Sequence, residues 1–253
     1  MSCGCCSGGW CRLHRRYERK AAHFPAFGAI AAALICYRHL AGEAAPRFIC
    51  IPLQRAVLRT IMAVMERPRQ IIECGDFVLR GWRGQSDFAP AFTLIEESLD
   101  HLRPWEPWVA HHSEETTRDF LAKSESKWAS GDVYNYAIAK AGTLIGMCQT
   151  YRGAEPQGRR IGYWLHPAAT GQGIATRATA TMVTEMFTLP DVEYLEIAHD
   201  LANTSSAAIP RRLGFTEVRR EQVTPPAAPS GSGIDVVWRL NRPTPPVDGT
   251  RRL

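Results

Sequence analysis

A glycine-bearing turn in the second half of the chain has the residue types and order of a phosphate site. The run 161–166 is typical of a strand, Pro167 ends it, and the following turn carries Gly171 and Gly173. Glycine reaches backbone conformations closed to other residues and leaves room for a ligand beside the main chain. The helix predicted over residues 174–187 begins with unpartnered amide N–H groups and the positive end of its dipole. This pattern predicts an anion site.

The turn matches neither of the two common nucleotide-binding patterns. The dinucleotide pattern needs a third glycine and a ribose-binding acid further along, and neither is placed as expected. The phosphate loop that ends in Gly-Lys-Ser/Thr does not occur in the chain. An ordinary turn that enters a core helix is therefore the alternative interpretation.

A second polar stretch, residues 199–215, follows a predicted strand over residues 192–198. Together, the two stretches resemble the GNAT acetyltransferase superfamily, in which the first stretch binds the coenzyme A pyrophosphate. The second resembles the Asn-x-x-Ser-x-x-Ile-x-x-x-Leu-Gly-Phe element of that superfamily. Its residues here are Asn203, Ser206, Ile209, Leu213, Gly214 and Phe215.

A third stretch, Leu-Arg-Pro-Trp-Glu-Pro-Trp at residues 102–108, resembles a segment of the Rim-type branch, which acetylates protein amino termini. The three matches stand in the family's order within residues 77–240. The resemblance implies an α/β fold with a mixed, mostly antiparallel central sheet and flanking helices, splayed at the acyl-coenzyme A site beside Pro167. One departure is Thr170, where the family often has Arg or Gln, so the backbone is expected to carry more of the phosphate binding.

The resemblance also implies which residues bind and react. Amides near Leu165 are expected to hold and polarise the thioester, and Ser206 is the candidate proton donor to the leaving thiolate, unless it is an ordinary first-turn residue. Asn203 is expected to bind the pantetheine arm, to cap its helix, or both. Trp105 and Trp108 either wall the acceptor pocket or form a packed corner. The residues expected at the pyrophosphate are Gly171, Gln172, Gly173, Ile174, Ala175 and Thr176.

No pattern in the sequence identifies the general base. His199, Glu196 and Glu221 are candidates, and a base that acts through water would leave no motif. Cys148 lies inside a strand pattern, so it is interpreted as a small core residue and not as a nucleophile.

Charge and cysteine content are concentrated in the first 70 residues. The 253-residue chain has a net charge of +5, but residues 1–70 hold 11 Lys/Arg and 3 Asp/Glu, leaving 19 and 22 in residues 71–253. The basic balance is therefore no evidence that the rest of the chain binds nucleic acid. Six of the eight cysteines also precede residue 71, but their spacing fits no paired C-x-x-C zinc site, and no metal is expected. The apolar run 24–36 is too short to span a bilayer.

Residues 1–64 are predicted to be a basic, Cys-rich extension or a mis-assigned start, since Met65 stands just before the first confident strand. A protein that begins at Met65 is expected to fold and to keep its activity. Residues 65–240 are expected to form the GNAT domain, and residues 241–253 a disordered tail rich in Pro and charge.

Hydrophobic periodicity places the remaining elements. Strands are predicted over residues 77–83, 134–139, 143–151, 161–166, 192–198, 216–223 and 234–240. Helices are predicted over residues 86–101, with Ser86 or Asp87 as cap, 113–130, 174–187 and 205–213.

The sequence thus predicts a cytoplasmic N-acetyltransferase that uses acetyl-coenzyme A and acts on a primary amine, first of all a protein or peptide α-amino terminus. A monomer or homodimer is expected, with no membrane, nucleic-acid or metal partner. Three alternatives stay open. They are acetylation of a small amine or antibiotic, a non-catalytic acyl-coenzyme A-sensing module, and salt-sensitive nucleic-acid binding by the basic N-terminal segment.

Overall fold

Eight strands form one sheet in residues 67–243, the part of the chain that the computed structural model describes. The predicted extension over residues 1–64 lies outside the described residues, as do residues 244–253 of the predicted tail. The strands are β1 (Ile71–Glu73), β2 (Val78–Gly81), β3 (Val133–Lys140), β4 (Thr143–Arg152), β5 (Gly158–Leu165), β6 (Tyr194–Asp200), β7 (Thr216–Gln222) and β8 (Ile234–Asn241). Their order across the sheet is β1-β2-β3-β4-β5-β6-β8-β7, and only β5 and β6 are parallel. The predicted mixed, mostly antiparallel sheet is confirmed.

Five α-helices and three short 3-10 segments flank the sheet in the described residues. The helices are α1 (Phe88–Glu96), α2 (Leu99–Leu102), α3 (Glu114–Ser130), α4 (Ile174–Met186) and α5 (Thr204–Arg212). The 3-10 segments are Gly84–Asp87, Pro107–His111 and Pro167–Ala169. Because successive strand residues point to opposite faces, Tyr136 of β3 joins the apolar cluster of α4, whereas Ala137 joins that of α1.

Helix α3 shows how local sequence sets its two ends. The Ser113 hydroxyl accepts a hydrogen bond from the Thr116 N–H, and the Thr116 hydroxyl accepts one from the Ser113 N–H. This capping box begins the helix. Gly131 ends it in the left-handed conformation, at φ 78°. The predicted helix over residues 113–130 is therefore confirmed.

The predicted helix over residues 86–101 is broken into α1 and α2, and its expected cap is wrong. Asp87 precedes α1 but its carboxylate does not cap the helix. It accepts hydrogen bonds from the Arg80 guanidinium at 2.6 and 2.8 Å and from the Arg83 N–H at 2.8 Å. A buried carboxylate is stable only when it is paired, and Arg80 supplies a bidentate partner that a cap cannot.

Several boundaries differ from the sequence prediction; β5, for example, begins at Gly158 and not at residue 161. Strand β1 lies before Asp76, as a short edge strand that the periodicity did not reveal. Strand β6 begins at Tyr194 because the Val192 N–H is held in a turn by the Leu189 carbonyl. At the C-terminus, Arg242 is anchored through its guanidinium to the carbonyls of Phe187, Leu189 and Val192. The predicted tail therefore begins too early.

Described residues 67–243 contain no helix that is both long and apolar enough to cross a membrane. The same residues contain no group of three or more His, Cys, Asp or Glu side chains placed to hold a metal ion.

A buried ion-pair cluster joins β6 to the far edge of the sheet. The Glu196 carboxylate accepts hydrogen bonds from Arg219 at 2.7 and 3.1 Å and from Arg239 at 2.8 and 3.1 Å. Burial by itself raises the pKa of Glu196, but these donors outweigh it and lower the pKa to about 2. Glu196 is therefore ionised and fully engaged near neutral pH.

Replacing Glu196 with Gln should destabilise the protein in a pH-dependent way. Because the folded pKa is depressed, the stabilisation is fully present above the ordinary value of 4.5 and is lost as pH falls towards 2. We expect Glu196→Gln to lower the free energy of unfolding by about 1–3 kcal/mol at pH 7, and by less at pH 3. Urea unfolding at both pH values measures this. Glu217→Gln, which removes an exposed pair with Arg220, should change little; an equal loss for Glu196→Gln at both pH values would contradict the expectation.

Candidate active site

The sheet opens between β5 and β6. Their parallel pairing covers three residue pairs, from Gly158 with Tyr194 to Arg160 with Glu196. Beyond that point β5 stays paired with β4 and β6 with β8. The strands therefore separate well before Pro167. The expected splay is present, but it begins just beyond Arg160 and not beside Pro167.

The amide of Leu165 points into this opening. The His166 N–H donates to the Ile145 carbonyl on the β4 side, at 2.9 Å. Since successive amides of a strand point to opposite edges, the Leu165 N–H faces the edge that β6 has left. Gly146 lies opposite Leu165, where an added Cβ would meet the Trp164 carbonyl oxygen at 2.4 Å. The fit between β4 and β5 at this point requires glycine.

The glycine turn delivers an uncapped helix N-terminus to the same opening. Gly171 and Gly173 have φ values of 73° and 70°, the left-handed region that favours glycine. Gly173 is the N-cap residue of α4, and the first turn of that helix contains no acid. Among residues 67–243 no side chain caps this turn, so its first amides keep their positive partial charge.

The two polar side chains of the turn fold back onto its own backbone. The Thr170 hydroxyl donates to the Pro167 carbonyl at 2.7 Å, and the Gln172 amide donates to the Ala168 carbonyl at 2.9 Å. Both bonds stabilise the turn. Since neither side chain points away from the turn, the arrangement is consistent with the expectation that backbone N–H groups carry more of the phosphate binding.

A cavity of about 390 Å³ brings most of the predicted site residues together. It is lined by nine of the eleven, namely Trp105, Leu165, Gly171, Gly173, Ile174, Ala175, Thr176, Asn203 and Ser206. Gln172 and Trp108 do not line it. The cavity therefore unites the strand opening, the start of α4 and the start of α5.

Ser206 is held by its own helix cap and by a tyrosine across the opening. The Asn203 side chain accepts a hydrogen bond from the Ser206 N–H at 3.0 Å, which caps α5. The hydroxyl oxygens of Ser206 and Tyr163 lie 3.2 Å apart. Burial raises the pKa of Tyr163 to about 12, so this hydroxyl stays protonated at neutral pH. The sequence analysis missed Tyr163, although its place two residues before Leu165 puts it on the same face of β5.

Trp105 and Trp108, the two tryptophans expected at the acceptor pocket, line different cavities. Trp105 lines the cavity with Ser206, whereas Trp108 lines a neighbouring apolar cavity of about 370 Å³. Trp164 lines both, and its ring centroid lies 6.0 Å from that of Trp108. The Trp108 indole N–H donates to the Glu106 carboxylate at 2.9 Å.

The three base candidates from the sequence lie away from the cavity. His199 lies inside β6, where its Nε2 accepts from the Trp238 indole at 2.9 Å and its Nδ1 lies 2.8 Å from the Asp200 carbonyl oxygen. Both ring nitrogens are therefore used. Glu221 pairs with Arg219 at 2.6 Å, and Glu196 is engaged as described above.

Cys148 is fully buried in the core of the sheet, and burial raises its thiol pKa. This environment keeps the thiol protonated, as expected for a small core residue and not for a nucleophile.

A mixed sheet that opens between two parallel strands beside an uncapped helix N-terminus defines an enzyme domain of the acyl-coenzyme A N-acyltransferase type. Residues 76–216 match the family described as Acetyltransferase (GNAT) domain. This match covers more than half of the chain, which therefore belongs to the GNAT acetyltransferase family.

Individual relatives support this assignment. "Putative ribosomal N-acetyltransferase YdaF" of Bacillus subtilis (strain 168) is 31% identical over 88 residues, which are 35% of this chain and 45% of that protein. The match thus spans less than half the length of this curated relative. Among solved structures, RimL, a ribosomal L7/L12 alpha-N-protein acetyltransferase in complex with coenzyme A, has a TM-score of 0.63 at 21% identity, covering 68% of this chain and 97% of its own. A Salmonella typhimurium acetyl transferase that modifies the N-terminal serine of 50S ribosomal subunit protein L7/L12 has a TM-score of 0.60 at 21% identity, covering 68% and 98%. At this identity the two structures show the fold.

The cap of α5 can be tested by substitution. Asn203→Ala removes the acceptor for the Ser206 N–H and should lower the free energy of unfolding by about 1 kcal/mol. Asn203→Ser keeps a capping oxygen and should retain most of the stability. Urea denaturation of the three proteins measures the difference, and an Asn203→Ala protein as stable as the parent would exclude the cap.

Proposed function

We propose that this protein is an N-acetyltransferase that transfers the acetyl group of acetyl-coenzyme A to the α-amino terminus of a protein or peptide. One observation carries the proposal. The opening between β5 and β6 and the uncapped start of α4 line a single cavity, so a thioester and a phosphate could be bound together.

Acetyl-coenzyme A fits the donors of this cavity. Its pyrophosphate would accept hydrogen bonds from the backbone of Gly171, Gly173 and the first turn of α4, where no acid opposes it. Arg212 also lines the cavity and contributes positive charge. The pantetheine arm would lie along the opened edge of β5, whose amides β6 does not satisfy. Asn203 would remain the cap of α5, with its amide free to contact the arm.

The proposed reaction is a direct attack on the thioester. The amine lone pair forms a bond to the carbonyl carbon, and the oxyanion that results accepts a hydrogen bond from the Leu165 N–H. The carbon–sulfur bond then breaks, and the thiolate takes a proton from the Ser206 hydroxyl. Ser206 recovers a proton from the attacking nitrogen as that nitrogen becomes the amide. Tyr163, whose hydroxyl oxygen lies 3.2 Å from that of Ser206, is placed to orient it.

Two observations favour a protein amino terminus as the acceptor. They are the descriptions of the relatives and the resemblance of residues 102–108, the tryptophan segment, to the Rim-type branch. The Salmonella structural neighbour is described as modifying an N-terminal serine. A peptide that begins with serine is therefore the first acceptor to test. The proposal places the reaction in the cytoplasm and expects a monomer or homodimer.

Binding of acetyl-coenzyme A should stabilise the protein. At one hundred times its dissociation constant, the ligand should raise the free energy of unfolding by about 2.7 kcal/mol.

Gly173→Ala should weaken this effect because φ is 70° at the helix start, and Gly142→Ala is the matched control, at φ 82° in the β3–β4 turn. Both substitutions should cost about 1–2 kcal/mol of stability. Calorimetric titration should show weaker binding for Gly173→Ala alone; equal binding by the two variants would contradict the phosphate site.

Ser206→Ala should lower kcat on a serine-initiated decapeptide by about 10²–10⁴-fold and leave the affinity for acetyl-coenzyme A unchanged. Thr204→Ala, at an exposed position of the same helix that does not line the cavity, is the control. Mass spectrometry of the product locates the acetyl group. Parallel assays use two other acceptors, a decapeptide whose amino terminus is already acetylated and the small amine spermidine. Acetyl-coenzyme A binding without turnover on any amine would favour the sensing module, and acetylation of spermidine alone would favour a small-amine enzyme.

A further inference from the structure

Glu106 is a carboxylate within the tryptophan segment that is not among the base candidates predicted from the sequence. It lines the cavity that also contains Trp105, Leu165 and Ser206. It also lines an outer groove formed by the tryptophan segment and residues 226–229. Glu106 therefore stands where the groove and the cavity meet.

The surroundings of Glu106 hold it in place and leave it without a cationic partner. Among residues 67–243, the indole N–H of Trp108 is the one side chain that donates to its carboxylate, at 2.9 Å. Burial raises the pKa of Glu106 above its ordinary 4.5, and the Trp108 bond works in the opposite direction. A carboxylate with a raised pKa and a spare oxygen is suited to accept a proton.

Other ionisable groups face the same space. His101, Tyr163 and Arg212 line the cavity with Glu106, and Arg103 lines the groove. None of them is paired with Glu106 in the described residues. His101 is the one imidazole among these groups, so it is included in the test below.

We propose that Glu106 receives the amino group of the acceptor and is the catalytic base of the acetyl transfer. The inference rests on the proposed function. One proton passes from the acceptor ammonium to the Glu106 carboxylate, which frees the nitrogen lone pair for attack on the thioester carbon. When the tetrahedral intermediate collapses, the attacking nitrogen gives its second proton to Ser206, which passes its own hydroxyl proton to the departing thiolate. Glu106 returns its proton to solvent through the groove.

The groove provides a route by which a chain end reaches Glu106. Its far wall, the loop over residues 226–229, is tied to the tryptophan segment by a hydrogen bond from the Ser230 N–H to the Pro104 carbonyl at 3.1 Å. An extended peptide lying in the groove would present its ammonium to the carboxylate at the junction. Within residues 67–243, Glu106 is the one carboxylate that lines either space.

Trp108 acts as a positioning residue for this base. Its N–H occupies one carboxylate oxygen and leaves the other for the acceptor. Loss of this bond removes a stabilisation of the ionised form, so the pKa of Glu106 should rise. The pH at which activity appears should rise with it.

The test compares kcat/KM of wild type, Glu106→Gln and Trp108→Phe on the serine-initiated decapeptide between pH 5.5 and 9.5. Glu106→Gln should lose about 10²–10⁴-fold at pH 7 and bind acetyl-coenzyme A as tightly as wild type. The loss should shrink towards pH 9.5, because an α-amino group with a pKa of about 8 then arrives already neutral. Trp108→Phe should move the acidic limb of the profile to higher pH. Glu97→Gln, an exposed glutamate outside the cavity, and His101→Gln should leave that limb in place.

The outcomes separate the two proposals. If wild type acetylates no amine, the proposed function fails. If wild type is active and Glu106→Gln keeps its rate at every pH, or if the His101 variant alone shifts the limb, the role of Glu106 is overturned while the function stands. Should Glu106→Gln fail to fold, the acidic limb of the Trp108→Phe profile is the deciding measurement. A shift of this limb to higher pH supports Glu106 as the base, and an unchanged limb excludes that role.

Discussion

The short parallel pairing of β5 with β6 is the constraint on which the site depends. Beyond the third pair each strand keeps only the antiparallel neighbour on its other edge, so the amides on the open edge of β5 have no ladder partner among the described residues. The base of the opening is fixed tightly. Gly158 lies against Tyr194, where an added Cβ would come within 2.3 Å of the ring, and Glu196 is locked by arginines of β7 and β8. Because the closed end of the opening is fixed in this way, the backbone N–H groups at its open end can stay unpaired until a ligand accepts their hydrogen bonds.

Two helix N-termini meet at this opening, and they are completed differently. Asn203 satisfies the first turn of α5, which therefore serves to place Ser206 opposite Tyr163. The first turn of α4 follows a glycine and receives no side-chain cap. A helix start without a cap is less stable than a capped one, so its retention here is explained best by a ligand that supplies the missing acceptors.

The parts of the site that the sequence predicted are those fixed by local chain geometry. A turn that needs two left-handed residues requires glycine, and Asn203 can cap only the helix that it precedes. The parts that it missed depend on residues far apart in the chain. The arginine partners of Glu196 lie on β7 and β8, far from it in the sequence. The residues next to Glu196 in the chain therefore could not show whether it is a catalytic base or a member of a structural ion pair. Tyr163 and Glu106 likewise gained their candidate roles only when the fold brought them to one cavity.

Charge in the cavity is arranged along the path of the proposed reaction. The start of α4 and Arg212 supply positive potential where a pyrophosphate would bind, and Glu106 supplies a negative charge beside the groove through which an ammonium would enter. The Leu165 amide lies on the opened edge of β5 and Leu165 lines the same cavity, so under the proposal the groups that attract the two substrates and the amide that polarises the thioester share one space. The rings of Trp105 and Trp164 line the cavity, and apolar walls weaken the screening of charge by water, so these fields would be stronger than at the surface. Burial also raises the pKa of Glu106, so under the proposal one feature of the packing would both orient the acceptor and prepare the group that deprotonates it.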